Sequence, residues 1–299
     1  MIISASRRCD IPAFGMDAFL LSLESGFIEV RNPFDARSIR RVSLSPADVD
    51  CIVFWTRDPR PLLANFNRLG PFRDRFFVHV TVTGYPRALE PAVLHAGAAV
   101  EAVRALASVV GRARIAWRYD PVIVAQGLEA DFHRANFARL ADALGDSVSR
   151  VVVSLLDEYA PTRKRLEAAG FADPRFGSPR HGRHDATAKD EMPPMRTSRA
   201  ARRLAEPPEP WAGLLCDLAA HAKERGLPIG ACAEPFDLAP LGIEAAPCID
   251  GDSLAGIFGF SPPPPRDKGQ RSLCRCSPSV DIGSYGTCPA ACVYCYARR

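Results

Sequence analysis

The sequence predicts an α/β protein on parallel strands, a TIM-like (β/α) barrel, whole or partial, and three observations carry that expectation. Apolar runs rich in Val, Ile and Phe recur at residues 2–6, 51–56, 76–83, 114–119, 150–156 and 227–232, each about strand length and bounded by turn residues. The runs are continuous rather than alternating, as in CIVFW at 51–55, which suits strands covered on both faces. Segments with helical periodicity lie between them. Phe137, Leu140, Ala141 and Leu144 fall at i, i+3, i+4 and i+7, as do Trp211, Leu214, Leu215 and Leu218.

Two stretches interrupt the alternation. FIEVR (27–31) and IRRVSL (39–44) flank the turn-rich linker NPFDARS and read as a hairpin. From 172 to 210, Pro, Arg, Asp and Gly crowd out apolar residues and no period survives, so the sequence predicts a disordered insertion there. Gly26, Gly111, Gly145, Gly170 and Gly226 stand where helices should stop. A proline run at 262–265 divides the chain into a barrel body, 1–260, and a cysteine-rich C-terminal segment, 261–299, expected to pack on the barrel mouth.

Of 299 residues, 47% are hydrophobic and 24% charged, a composition that excludes collagen, coiled coil and wholesale disorder. Net charge is +4, and only four of the 38 basic residues are lysine. Weak basicity permits a nucleic-acid partner without arguing for one. The first residues, MIISASRRCDIPAF, lack the apolar run of a secretory signal, and no window approaches a membrane span. The expected location is the cytoplasm, where clustered thiols more often bind metal than form disulfides.

Cysteine is unevenly placed. Eight of the ten lie between Cys216 and Cys295. Cys288, Cys292 and Cys295 form a C-x3-C-x2-C triplet with Tyr294 before its last member. Three thiolates this close can hold three irons of a 4Fe-4S cubane and leave the fourth iron open. The competing reading is zinc, since any four of Cys274, Cys276, Cys288, Cys292 and Cys295 can supply a thiolate shell, although C-R-C is too tight for an ordinary zinc knuckle. Cys232, Cys248, Cys274 and Cys276 can converge as a second, fully ligated cluster if the strand ends gather, or remain ordinary buried cysteines. Cys51 and Cys216 read as core, and Cys9, beside two arginines, stays undecided.

The triplet and its aromatic resemble the signature of radical S-adenosylmethionine (SAM) enzymes. That resemblance implies SAM chelated at the open iron, reductive cleavage to methionine and a 5'-deoxyadenosyl radical, and hydrogen abstraction from a substrate. It also implies an electron donor such as flavodoxin or ferredoxin, and places Tyr294 near the adenine. The chain as a whole resembles a bacterial family of unknown function ending in such a cysteine cluster, through SASRRCDIPAF, VRNPF, SLSPADVDCIVFWTRDP, TVTGY, WRYDP, CAE, CID and DKGQR through CVYCYA. It departs at Ala290 and Ala291, where His-Gly is common. CVYCYAR is also locally similar to the spore photoproduct lyase group, which acts on thymine lesions in DNA. In most of the superfamily the triplet lies early in the barrel sequence. Here it follows them, so the resemblance implies a circular permutation with residues 2–6 as the strand next to the returning tail.

Polar residues follow each apolar run: 7–10 (RRCD), 56–58 (TRD), 83–85 (TGY), 118–120 (RYD), 157–159 (DEY) and 233–237 (AEPFD). Parallel α/β folds put their active sites at such strand exits. Arg118, Asp120 and Glu234 are the catalytic candidates, and Arg7, Arg8, Asp10 and Tyr294 the SAM-binding ones, because a guanidinium grips a carboxylate in a fork and an acid bonds ribose hydroxyls. Structural ion pairs at the rim account for the same residues almost as well. Two functions from different classes remain: a radical SAM enzyme of unknown substrate, and a zinc- or iron-sulfur-binding protein that contacts nucleic acid through the arginines of the 172–210 insertion.

Overall fold

The runs of β-branched and aromatic residues do form strands, and the computed structural model describes them within all residues except 33, 34, 158, 172–206, 208, 210, 264, 265, 272 and 299. In chain order the elements are β1 (Ile2–Ala5), α1 (Ile11–Phe14), α2 (Met16–Ser25), β2 (Phe27–Asn32), β3 (Asp35–Ser43), β4 (Cys51–Thr56), α3 (Arg60–Ala64), β5 (Phe76–Thr81) and α4 (Ala96–Val110). They continue with β6 (Ile115–Val122), α5 (Ala130–Leu144), β7 (Arg150–Leu155), α6 (Ala160–Ala168), α7 (Trp211–Glu224), β8 (Ile229–Ala231), β9 (Glu244–Ala245), α8 (Gly251–Phe258) and β10 (Val280–Asp281). The expected disordered insertion lies almost wholly outside the described residues.

The fold is mixed α/β around one eight-stranded sheet in the order β10-β1-β4-β5-β6-β7-β8-β9, with every neighbouring pair parallel. The order follows the sequence without reversal, and the last strand lies beside the first. β9 and β10 are the edges, and among the described residues no ladder joins them. All six predicted strands are present. The third ends early at Thr81, the fourth runs on to Val122 through a register shift, and the sixth is trimmed to 229–231. The predicted hairpin is β2 and β3, a separate antiparallel pair, and residues 35–38 of the expected linker belong to β3.

Both faces of the large sheet are covered, as continuous apolar runs require. One face presents Ile3, Ile52, Phe54, Val78, Ile115, Trp117, Val151 and Val153 to α2, α4, α5 and α7. Trp117 stacks on Phe137 at 5.0 Å and donates its indole N–H to the Val82 carbonyl at 2.9 Å. Truncating a ring buried this completely costs about 3–5 kcal/mol. The opposite face presents Ile2, Cys51, Val53, Phe77 and Ala116, and there the C-terminal third packs through Cys248, Ile249, Leu254, Cys274 and Cys276. Cys51 is core as expected, its thiol pushed up to about 12 by burial. Cys216 is not core. The buried stripe of α7 runs through Trp211, Leu214, Leu215, Leu218 and Ala222, and Cys216 falls off it into solvent.

A two-residue strand such as β10 has little ladder of its own, and Asp281 compensates. Its Oδ2 accepts from Ser4 Oγ at 2.7 Å and the Arg7 N–H at 2.9 Å, and its Oδ1 accepts from Ser6 Oγ at 2.7 Å and the Gly283 N–H at 3.0 Å. One buried carboxylate thus sews the tail to β1. Gly283 must be glycine, because a Cβ there would stand 1.9 Å from Ser6 Oγ and 2.8 Å from Cys9 Sγ.

His133 on α5 is a core histidine. Its Nε2 lies 2.9 Å from the Ile123 carbonyl, which can only accept, so Nε2 carries the proton and Nδ1 accepts from Tyr119 Oη at 2.8 Å. Burial pulls it from 6.5 down to about 4. A depressed histidine contributes stability above its unfolded value that is lost as pH falls through the folded one. Urea unfolding of the wild type should therefore weaken, relative to His133→Gln, by up to about 3 kcal/mol between pH 6.5 and 4. Parallel pH profiles for the two proteins would overturn the assignment.

Candidate metal centres at the strand exits

Because all eight strands run the same way, their C-terminal exits share one end of the sheet; the triplet lies past the exit of β10, and a second set of cysteines packs on the sheet face that Ile2, Cys51, Val53, Phe77 and Ala116 present. The triplet follows β10 directly. Its loop docks by the Val293 N–H donating to the Leu89 carbonyl at 2.9 Å, and by Arg165 of α6 donating to the carbonyls of Val293 at 2.9 Å and Cys295 at 2.6 Å. Tyr296 Oη donates to the Arg7 carbonyl at 2.6 Å.

Beneath this loop lies a buried polar network. Tyr294 Oη bonds both Glu90 and Arg57, Arg57 Nη1 meets Glu90 Oε1 at 2.7 Å, and Thr83 Oγ1 donates to the same oxygen. The Arg57 charge also acts on Cys292. Burial pushes the Cys292 thiol up to about 11 and raises Cys288 as well, so these sulfurs stay protonated until a cation takes the proton's place. A cavity of about 360 Å³, lined by Asp10, Arg57, Arg60, Arg87, Val93 and Ala290, adjoins the triplet loop.

The second set spans the open edges of the sheet. Cys232 follows β8, Cys248 follows β9, and Cys274 and Cys276 precede β10. The Sγ atoms of Cys232, Cys248 and Cys276 lie within 4.8 Å of one another, and among the described residues no other trio of potential metal ligands does. Cys274 is hydrogen-bonded to Cys276, which pulls its thiol down to about 6. Hydrogen bonds from Cys232 and Cys248 lower Cys276 too. An all-sulfur donor set, mostly buried and facing arginines, fits a thiophilic metal or an iron-sulfur centre. The triplet offers three such donors and the second set four.

Several expected SAM or catalytic residues are engaged elsewhere. Asp10 caps α1 by accepting from the Ala13 N–H at 2.9 Å, and its other oxygen accepts from the Arg57 N–H at 2.7 Å. Burial raises it to about 6. Arg7 and Arg8 reach Asp281 at 3.7 and 3.8 Å, and Arg8 also lies over the Tyr285 ring. Arg118 donates to Cys248 Sγ at 3.0 Å and pairs with Asp120, which bonds Ser154. It therefore belongs to the second cysteine set rather than to the triplet. Glu234 accepts from the Leu155 N–H at 2.9 Å, lines a cavity of about 140 Å³, and is pushed up to about 8 by burial and by Asp157 and Asp120. Cys9 is half-buried against the main core.

Arg57, Glu90, Arg165 and Asp281 were absent from the sequence-based candidates. Arg57 stands in the polar exit TRD and was open to inference, whereas Glu90 and Arg165 lie in a loop and on a helix with no motif around them.

Fold and site together define an α/β protein in which three cysteines meet against a parallel sheet and a cysteine triplet follows its last strand. The chain belongs to the family described as Domain of unknown function (DUF1848), whose model matches residues 2–297. No curated protein and no solved structure matches it.

Ala291, between Cys288 and Cys292, sits at φ +56°, in the left-handed region that costs a residue with a Cβ about 1 kcal/mol. Ala291→Gly should leave thermal stability level or raise it by up to about 1 kcal/mol, while Ala291→Val should lower it by more than that. Calorimetry showing valine tolerated as well as glycine would contradict this backbone.

Proposed function

We propose that the chain is a radical SAM enzyme whose 4Fe-4S cluster is held by Cys288, Cys292 and Cys295. The observation that carries the reading is that β10 leads directly into the triplet and pairs with β1, so the motif stands at the mouth of the sheet. The sequential strand order is that of a (β/α) barrel open between β9 and β10. On this reading the chain is a permuted radical SAM barrel, with β10 in the place of the strand that precedes the triplet elsewhere in the superfamily. Residues 261–299 then complete the body formed by 1–260.

Such a cluster, when bound with SAM, supplies reductive cleavage of the sulfonium to a carbon-centred radical. The residues of this chain do the rest. Arg57 places a buried cation beside Cys292 and offsets the charge of a thiolate centre. Tyr294, held by Glu90 and Arg57, seals the floor of the loop against water. The cavity next to Ala290, about 360 Å³, lies within the range of about 300–1,000 Å³ that small-ligand sites occupy and is the proposed seat of SAM. Asp10 supports this cavity as a helix cap, and Glu234 and Asp120 face the adjoining exits as candidates for the substrate side. The partners on this reading are SAM and a cytoplasmic one-electron donor of the flavodoxin or ferredoxin type. The alternative, a metal-binding nucleic-acid protein without SAM chemistry, rests on arginines of the insertion outside the described residues.

Anaerobic reconstitution with iron and sulfide, then reduction in the presence of SAM, should yield methionine and 5'-deoxyadenosine. Cys292→Ala should bring that yield to background, at least 100-fold lower, because two thiolates do not retain the cluster. A colourless protein holding only zinc, or full SAM cleavage by Cys292→Ala, would contradict the proposal.

A further inference from the structure

We infer that Cys232, Cys248, Cys274 and Cys276 form a second, closed site that binds one thiophilic divalent ion, zinc or ferrous iron, and that this ion ties together the two open edges of the sheet. The inference stands whether or not the triplet performs SAM chemistry.

Spacing separates a single ion from a cluster. Four sulfurs about 2.3 Å from one tetrahedral ion are about 3.8 Å from each other. In a cubane each thiolate binds a different iron, so the sulfurs lie farther apart. Cys232, Cys248 and Cys276 are all within 4.8 Å, with Cys232 and Cys248 at 3.0 Å, whereas the triplet is not gathered that tightly. Cys274, two residues before Cys276 and just outside that trio, is the fourth donor, its Sγ accepting from the Cys276 N–H at 3.5 Å. This spacing favours one ion over the second cubane expected from the sequence.

The surroundings are built for a thiolate centre. A divalent ion that displaces the thiol protons from four cysteines leaves a net charge of −2. Arg118 faces it, its Nη1 3.0 Å from Cys248 Sγ, and Arg7 acts on Cys248 and Cys276. Two backbone N–H groups point at sulfur: Ile249 donates to Cys276 Sγ at 3.4 Å and Cys276 donates to Cys274 Sγ at 3.5 Å. His79 Nε2 donates to the Cys248 carbonyl at 2.7 Å and fixes that ligand's backbone. With four protein ligands no coordination position stays open, which is the pattern of a structural site.

Location supplies the role. Cys232 and Cys248 belong to the β8–β9 side, and Cys274 and Cys276 to the strand of chain that becomes β10. The Ser277 N–H donates to the Ile249 carbonyl at 2.9 Å and Gly251 N–H to Ser277 Oγ at 3.1 Å, so the two sides already touch. An ion at the same place closes the seam where the ladder stops.

The test uses the full chain with Cys288, Cys292 and Cys295 all changed to Ser, purified without oxygen. Metal analysis should find about one equivalent of zinc or iron per chain and no acid-labile sulfide. Replacing that metal with Co²⁺ should give the visible bands of a tetrahedral thiolate ion. Adding Cys248→Ser and Cys276→Ser should abolish both signals. Iron with an equal amount of acid-labile sulfide in the triple variant, or no bound metal at all, would overturn the inference. Should the triple variant not fold, Co²⁺ titration of the wild-type chain reads the same site: tetrahedral thiolate bands lost in Cys248→Ser/Cys276→Ser support it, and their absence from the wild type sinks it. Neither arm involves SAM, so failure here and failure of the radical reading are told apart.

Discussion

A parallel sheet grows by crossovers and has no hairpin with which to finish its edges, and in this chain the two edge strands, β9 and β10, are only two residues long. Everything at the mouth depends on how that seam is held. On the β1 side the work falls to Asp281, which accepts four hydrogen bonds from Ser4, Ser6, Arg7 and Gly283. Across the seam it falls to the contacts of Ser277 with Ile249 and Gly251, and to Cys232, Cys248 and Cys276, which converge from both edges. The triplet begins seven residues after Asp281, so its position is inherited from those contacts.

Gathering sulfur and carboxylates in one buried region carries an electrostatic cost, and arginine offsets it. Arg57 lies between Glu90, Tyr294 and Cys292, Arg118 between Asp120 and Cys248, and Arg7 between Asp281 and the second cysteine set. A guanidinium serves several acceptors at once in a fixed plane, which a lysine ammonium does not. These buried pairs add little net stability by themselves. Their effect is to fix where charge can sit, which is what a redox or metal centre requires of its surroundings.

Much of the architecture was legible because it rests on long apolar runs. CIVFW and FFVHV read as buried strands and are β4 and β5, and the stripes on α5 and α7 set their buried faces. β9 and β10 left no trace, since two residues carry neither a run nor an alternation. At the site, residue types were legible and partners were not. Arg118 and Asp120 are catalytic candidates by sequence, yet chain folding delivers Cys248, 130 residues away, to the Arg118 guanidinium. Asp10 is a SAM-binding candidate by sequence, but Asp followed by Ile-Pro is also a helix start, and it is the cap of α1. Cys216 looked like core through its apolar neighbours Leu214 and Leu215, but period 3.6 turns it outward.

On the proposed function the triplet holds a cluster with one iron open to SAM. Electron-nuclear double resonance on the reduced, reconstituted protein with SAM carrying ¹⁵N in its methionine amino group tests this most directly. The expected result is a hyperfine coupling from that nitrogen to the cluster spin, present in the wild type and retained when Cys248 and Cys276 are replaced by Ser. A reduced cluster whose spectrum is unchanged by labelled SAM would contradict it.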